Sequence, residues 1–236
     1  MAIHTIDITD YLNSPAQEAF RVLSSNLGFS VKKQNLKTVL ITSYRPGEGK
    51  TSVTINLAIA SAKAGRNVLY VDADLRKANR KKRHWNASIK GLTDFESDIN
   101  EVISLTAVNN LQYVTAGTRS VDSIEFLNSK RFDNFLKDAS KHYDIVFIDS
   151  PSLGHAVDGS IIASKVSGSL IVTRANHTRY RNIEQIKWFM NNVGANIIGI
   201  VLNRIDRREY KSYFLLQNHF RLLAPDSRRR GTNISQ

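Results

Sequence analysis

Thr42-Ser43-Tyr44-Arg45-Pro46-Gly47-Glu48-Gly49-Lys50-Thr51-Ser52 is the stretch on which the fold turns. It follows a β-branched run, Val39-Leu40-Ile41-Thr42, and opens an amphipathic stretch from Thr51 to Lys63. Gly47 and Gly49 let the backbone turn tightly and bring N–H groups against an anion. The helix N-terminus that follows adds a partial positive charge. Gly-Lys-Thr between a strand and a helix is a Walker A pattern. On this reading Gly47, Glu48, Gly49, Lys50, Thr51 and Ser52 cradle phosphates. Lys50 reaches the terminal phosphates, and the Thr51 hydroxyl is offered to Mg²⁺. The strict pattern places glycine where this chain has Tyr44. The competing reading is a glycine turn that merely caps an ordinary helix.

Outward from this loop a rhythm sets in. Short β-branched runs at Val68–Val71, Leu111–Val114, Ile145–Ile148, Leu170–Val172 and Ile197–Leu202 alternate with longer stretches. Continuous apolar runs mark strands buried on both faces, as in a parallel sheet covered by helices. Helices are predicted over Thr51–Lys63, Arg131–Lys141, Ile161–Val166 and Asn182–Asn192. Another starts at Ser14 as N-cap with Pro15 in the first turn. The alternation predicts a three-layer α/β fold of the P-loop NTPase type with a mostly parallel central sheet. It forms a single domain over 1–206, whose first 36 residues are a helical lead. The pattern stops after Asp206, and the aromatic and basic tail over 207–236 reads as partly disordered.

In such sheets ligands bind at the carboxyl ends of the strands. Two runs end there in acids: Val71-Asp72-Ala73-Asp74 and Ile148-Asp149-Ser150-Pro151. Strand periodicity puts Asp72 and Asp74 on one side. A hydrophobic run ending in Asp149 is a Walker B pattern. Carboxylates flanking a phosphate loop suit a divalent cation and the orientation of a nucleophile. Either acid alone is as readily a turn former. The last run ends Asn203-Arg204-Ile205-Asp206, where Asn203, Arg204 and Asp206 are candidate base contacts or an ordinary polar loop.

The composition sets the class. Of 236 residues, 42% are apolar and 23% charged, so the chain has the means to bury a core. There is no cysteine, which excludes disulfides, a thiolate nucleophile and Cys-ligated zinc. The net charge of +12 favours anionic partners: nucleotide, nucleic acid or an anionic membrane face. No run approaches the ~20 apolar residues of a membrane span. Met1 to Asp7 lacks the pattern of a secretory signal, which predicts a cytosolic protein.

Taken together these motifs resemble the bacterial tyrosine kinases of capsule and exopolysaccharide synthesis, in the form whose cytosolic kinase is separate from its membrane adaptor. The resemblance runs from about Ser14 to Asp206. It is carried by Glu18-Ala19-Phe20-Arg21, Pro46 to Thr51, Val71 to Lys77, Gly91-Leu92-Thr93-Asp94, Asp144 to Pro151, Asp158 and Gly199 to Asn203. The Asp72-x-Asp74-x-Arg76 element separates this family from most P-loop ATPases. The resemblance implies an ATP- and Mg²⁺-dependent protein-tyrosine autokinase. Lys50, Asp72 and Asp74 would be catalytic, with Asp72 accepting the tyrosine proton. Thr51, Asp74 and Asp149 would hold the metal. It further implies phosphorylation in trans within a ring, and activation by the cytosolic tail of a transmembrane polysaccharide co-polymerase. That adaptor would hold the chain at the inner face of the membrane.

Some positions depart from the family. Its oligomerisation element continues with arginine where Ser24 stands. Its Pro-rich stretch is replaced by Thr118-Arg119-Ser120-Val121-Asp122, and its terminal tyrosine cluster shrinks to Tyr210 and Tyr213. These two are the candidate phosphoacceptors, or aromatics that dock a helix. Two other readings follow: a nucleotide-binding regulator without catalysis, and a partition ATPase of the Min and Par kind. The latter carry a signature lysine early in the loop, where this chain has Arg45. The run Arg76-Lys77-Ala78-Asn79-Arg80-Lys81-Lys82-Arg83-His84-Trp85 reads as a solvated face, or as attraction to an acidic tail or anionic lipid. Clustered Arg and Lys with an aromatic neighbour would also suit nucleic-acid phosphates, the least expected partner of the run. The histidines show no metal-ligand spacing.

Overall fold

The computed structural model describes residues 5–6, 12–76, 89–206 and 209. Its strands are β1 (Thr5–Ile6), β2 (Thr38–Ser43), β3 (Val68–Asp72), β4 (Ser104–Thr106), β5 (Leu111–Val114), β6 (Ile145–Asp149), β7 (Gly168–Arg174) and β8 (Ile197–Asn203). They form one sheet in the order β1-β4-β5-β3-β6-β2-β7-β8. All neighbours run parallel except β4 against β5. The helices are α1 (Ser14–Gln34), α2 (Lys50–Lys63), α3 (Ser123–Asn128), α4 (Lys130–His142), α5 (Asp158–Ala163) and α6 (Tyr180–Asn192). The compact unit ends at Asn203, and Arg204–Gln236 form a second unit.

The continuous apolar runs do what their pattern requires. Every residue of β2 and of β6 is buried. Along β2, Val39 and Ile41 join the cluster under α1 and α2, with Leu27, Val53 and Leu57. Leu40 points the other way, into the cluster of Phe126, Phe132, Phe135, Ile162, Ile186 and Met190 from α3 to α6. This alternation across a doubly covered sheet gives the three layers. The last run departs from the expectation of two-sided burial. β8 is the sheet's edge among the described strands, with Ile200 half exposed. Apolar content does not say which strand ends a sheet.

Local chemistry moved several boundaries. Asn13, not Ser14, caps α1: its Oδ1 accepts from the Ala16 N–H at 3.1 Å. α5 begins at Asp158, three residues before the predicted Ile161, and stops at Ala163. The apolar spacing of Ile161, Ile162 and Val166 reported a buried face rather than the hydrogen-bonded start. An acid in the first turn suits the helix dipole. The short helix α3 was not foreseen, although its cap is written in the chain: Asp122 accepts from the Glu125 N–H at 2.9 Å. Tyr210, Tyr213, the terminal tail, and Lys77 to Trp85 of the basic run lie outside the described residues.

Leu40 has no solvent exposure and lies in the strand that carries the phosphate loop. Leu40→Ala is expected to cost about 2–5 kcal/mol of stability. Urea unfolding would show it as a lower midpoint at an unchanged slope.

Candidate active site

The sheet order makes β3, β6 and β2 neighbours. Their carboxyl ends therefore deliver Asp72, Asp149 and the phosphate loop side by side. In that loop only Gly47 (φ 81°) and Gly49 (φ 96°) take positive φ. Tyr44 does not, so the glycine missing from the strict pattern is not needed there. Instead the chain across from it is glycine. The Gly154 N–H donates to the Tyr44 carbonyl at 3.0 Å, and a Cβ on Gly154 would come within 2.6 Å of that oxygen. Lys50 opens α2 and is buried, Thr51 is half-buried, and Ser52 is exposed in the first turn.

Glu48 braces the loop from within. It is 1% exposed, and its carboxylate accepts from the Arg45 N–H at 2.9 Å and from the Thr178 hydroxyl. Its side chain is thus turned into the protein, which leaves its backbone N–H to face a ligand. Asn203, read as a base contact, has its amide on the same loop. Its Nδ2 donates to the Glu48 carbonyl at 2.9 Å. A Cβ on Gly49 would lie 2.1 Å from that nitrogen. Sequence reading missed Thr178 and Gly154, for neither stands in a motif. Arg204, at φ 58°, and Asp206 fall in the second unit.

The acids converge as expected, with one correction. β3 ends at Asp72, so strand periodicity does not place Asp74. A turn does: the Asp72 carboxylate accepts from the Asp74 N–H at 3.0 Å, and the Ala73 N–H donates to the Asp149 carbonyl at 2.9 Å. Asp72 and Asp149 are register partners on adjacent strands. Both carry the parity of Tyr70 and Phe147, which pack on the α2 side of the sheet. Burial first, then Asp149 and Asp72, push the Tyr70 hydroxyl well above its ordinary range. Tyr113, stacked on Tyr70 at 4.9 Å, is raised by burial and the same two acids. Both tyrosines lie beneath the carboxylates and are too enclosed to be acceptors.

The decisive contact joins loop to strand: the Thr51 hydroxyl donates to Asp149 Oδ2 at 2.6 Å. Asp149 is wholly buried, and Asp74 is 7% exposed. Among the described residues no three His, Cys, Asp or Glu side chains gather into a metal cage. A hydroxyl beside one or two carboxylates is nevertheless the donor set that Mg²⁺ uses when phosphates and water complete its shell. The glycine cradle and this hard-oxygen pair fit a magnesium–nucleotide.

These features define the class: a P-loop nucleotide-binding protein with acidic strand ends beside the loop. Residues 8–198 match the family described as an AAA domain. A tyrosine-protein kinase of Streptococcus pneumoniae serotype 4 is 33% identical over 201 residues, covering 81% of this chain and 85% of that protein. The kinase domain of the Escherichia coli tyrosine kinase ETK superposes with a TM-score of 0.73 at 25% identity, covering 94% of this chain and 80% of that one. The septum site-determining protein MinD of Pyrococcus horikoshii, solved with Mg-ADP, shares the fold at a TM-score of 0.54 and 23% identity, over 72% of this chain and 71% of that one. The chain belongs to the bacterial tyrosine-kinase family of P-loop proteins.

Both loop glycines require left-handed backbone, at a cost of about 1–2 kcal/mol for alanine. Only Gly49 is also crowded. Gly47→Ala is expected to weaken ATP binding roughly tenfold. Gly49→Ala should weaken it further, because Asn203 must also move; titration calorimetry would rank the two.

Proposed function

We propose that this chain is an ATP- and Mg²⁺-dependent protein-tyrosine kinase acting in capsular or exopolysaccharide assembly. The observation that carries the chemistry is the Thr51–Asp149 hydrogen bond beside the register pair Asp72 and Asp149. What favours kinase over partition ATPase is the 33% identity to a tyrosine-protein kinase, together with Asp72-x-Asp74-x-Arg76 and Arg45 in place of a signature lysine.

The placement of these residues supports the following roles. The loop amides and the α2 N-terminus bind the phosphates, and Lys50 balances charge developing on the transferred group. Thr51, Asp149 and Asp74 would hold Mg²⁺, which supplies charge neutralisation at the phosphate oxygens. Asp72 accepts the proton of the incoming tyrosine hydroxyl. Asp149 keeps Thr51 aimed through their hydrogen bond. Such catalysis is mostly positioning and electrostatics.

The regulatory frame is that of the family. A transmembrane co-polymerase adaptor would activate the kinase through its cytosolic tail and hold it at the membrane. No described helix is long and apolar enough to cross a membrane. Tyr210 and Tyr213 are the acceptors proposed. With so few acceptors, a second reading is a nucleotide-binding regulator without phosphotransfer.

Lys50→Met is expected to lower ATP-dependent phosphotyrosine at least ~100-fold. The assay is incubation with Mg-ATP and the adaptor's cytosolic tail, then mass-spectrometric site mapping. Equal labelling of variant and wild type would sink the kinase reading. Intact ATP affinity with no labelling of wild type would select the regulator.

A further inference from the structure

Asp158 has no place in the chemistry above, yet its carboxylate has no solvent exposure. It opens α5 and receives the Arg76 guanidinium three ways. Arg76 Nε donates to Oδ1 and Oδ2 at 3.1 Å each, and Nη2 donates to Oδ1 at 2.7 Å. Arg76 itself is 39% exposed, so the pair runs from the rim into the core. A buried carboxylate held by an arginine fork is geometrically specific as well as strong. Burying a charge is otherwise too costly to persist without a function or a partner.

The pair joins two segments of the site. Arg76 follows Asp74 by two residues, in the helical residues that open after β3. Asp158 follows Asp149 by a loop that is itself pinned to the phosphate loop. The Leu153 N–H donates to the Ser43 carbonyl at 2.9 Å, beside the Gly154–Tyr44 bond. The hydrogen bonds that Arg76 donates to Asp158 are the largest cause of the raised Arg76 pKa. Asp74 and Asp122 also act on Arg76. A guanidinium deprived of Asp158 is left with Asp74, two residues back along the chain, and Asp122 as the other carboxylates that act on it.

We infer that Asp158 is a positioning residue, which fixes the Arg76 fork away from Asp74 and so keeps that carboxylate's charge for the magnesium–nucleotide. The inference rests on the proposed reading of the site as a phosphotransferase. It makes the two effects of Asp158 separable, because the harm done by its loss comes from the released arginine rather than from the missing carboxylate.

The experiment uses the full chain with Asp158→Asn, Arg76→Gln and the double variant. Three quantities are read: ATP-dependent phosphotyrosine, the Mg²⁺ concentration for half-maximal binding of a fluorescent ADP, and the melting temperature. Asp158→Asn is expected to lower phosphotransfer about 30-fold and to raise the Mg²⁺ requirement about fivefold, at roughly unchanged affinity in saturating Mg²⁺. Adding Arg76→Gln should restore at least about half of the lost effect on a logarithmic scale. A purely structural bridge predicts the reverse: the double variant no better than Asp158→Asn, with the Mg²⁺ requirement tracking only the melting temperature. That result, or a wild-type profile for Asp158→Asn, would overturn the inference. If wild type transfers no phosphate, the kinase reading falls, while the Mg²⁺ shift and its reversal still decide the role of Asp158.

Discussion

The hydrogen bond from Thr51 to Asp149 is where two independently encoded pieces of the chain become one site. Thr51 belongs to a glycine turn whose shape is set by two positive φ angles. Asp149 belongs to a strand whose position is set by burial on both faces. Neither piece carries information about the other. What brings them to 2.6 Å is the placement of β6 between β3 and β2, and that order follows from packing two apolar clusters on opposite faces of one sheet. The sheet is therefore the positioning device, and the carboxylates inherit its rigidity.

A second tier of contacts holds the loop in shape. Glu48 ties Arg45 to Thr178, Asn203 ties Glu48 to the end of β8, and Gly154 ties Tyr44 to the loop after β6. Three separate strand ends thus brace one turn. This pre-pays the ordering that phosphate binding would otherwise have to supply. It also explains how the loop dispenses with glycine at Tyr44. The close approach is provided by Gly154 of the loop after β6, and the Tyr44 ring is left to pack on the core.

Sequence reading found what periodicity and motif chemistry encode. The layered α/β class and the strands of the sheet's centre were legible, as was the placement of Lys50 and Thr51 on the glycine loop and of Asp72 and Asp149 at neighbouring strand ends, because burial on two faces and phosphate-loop spacing leave compositional marks. What escaped was pairing across the fold. Asn203 was recognised as a polar strand end, but nothing local says that its amide reaches the glycine loop. Thr178 and Gly154 are ordinary loop residues until β7 and β6 are placed beside β2. Asp74 was assigned to the right edge by the wrong device, since the strand had already ended and an Asx turn does the work. The edge position of β8 was illegible for the same reason, as was the whole of the Arg76–Asp158 link.

The departure at Ser24 shows how such a pairing changes the meaning of a motif. On the chain alone, serine in place of the family's arginine is a lost surface charge. In the fold Ser24 is 2% exposed and its hydroxyl shares a hydrogen bond with Ser61 of α2 at 2.9 Å. The guanidinium of Arg66 lies on it, with Nη1 donating to the Ser24 carbonyl at 3.3 Å and to its hydroxyl at 3.2 Å. Gly28 makes room, for a Cβ there would sit 2.1 Å from Arg66 Nη2. Positive charge at this seam is supplied from the turn before β3 rather than from α1. An arginine restored at position 24 would have to displace Arg66 or bury a second guanidinium against it, and like charges in a half-buried seam repel. Ser24 and Arg66 are therefore packed as one unit in this chain, and the α1–α2 face has to be judged by the charges it presents in three dimensions.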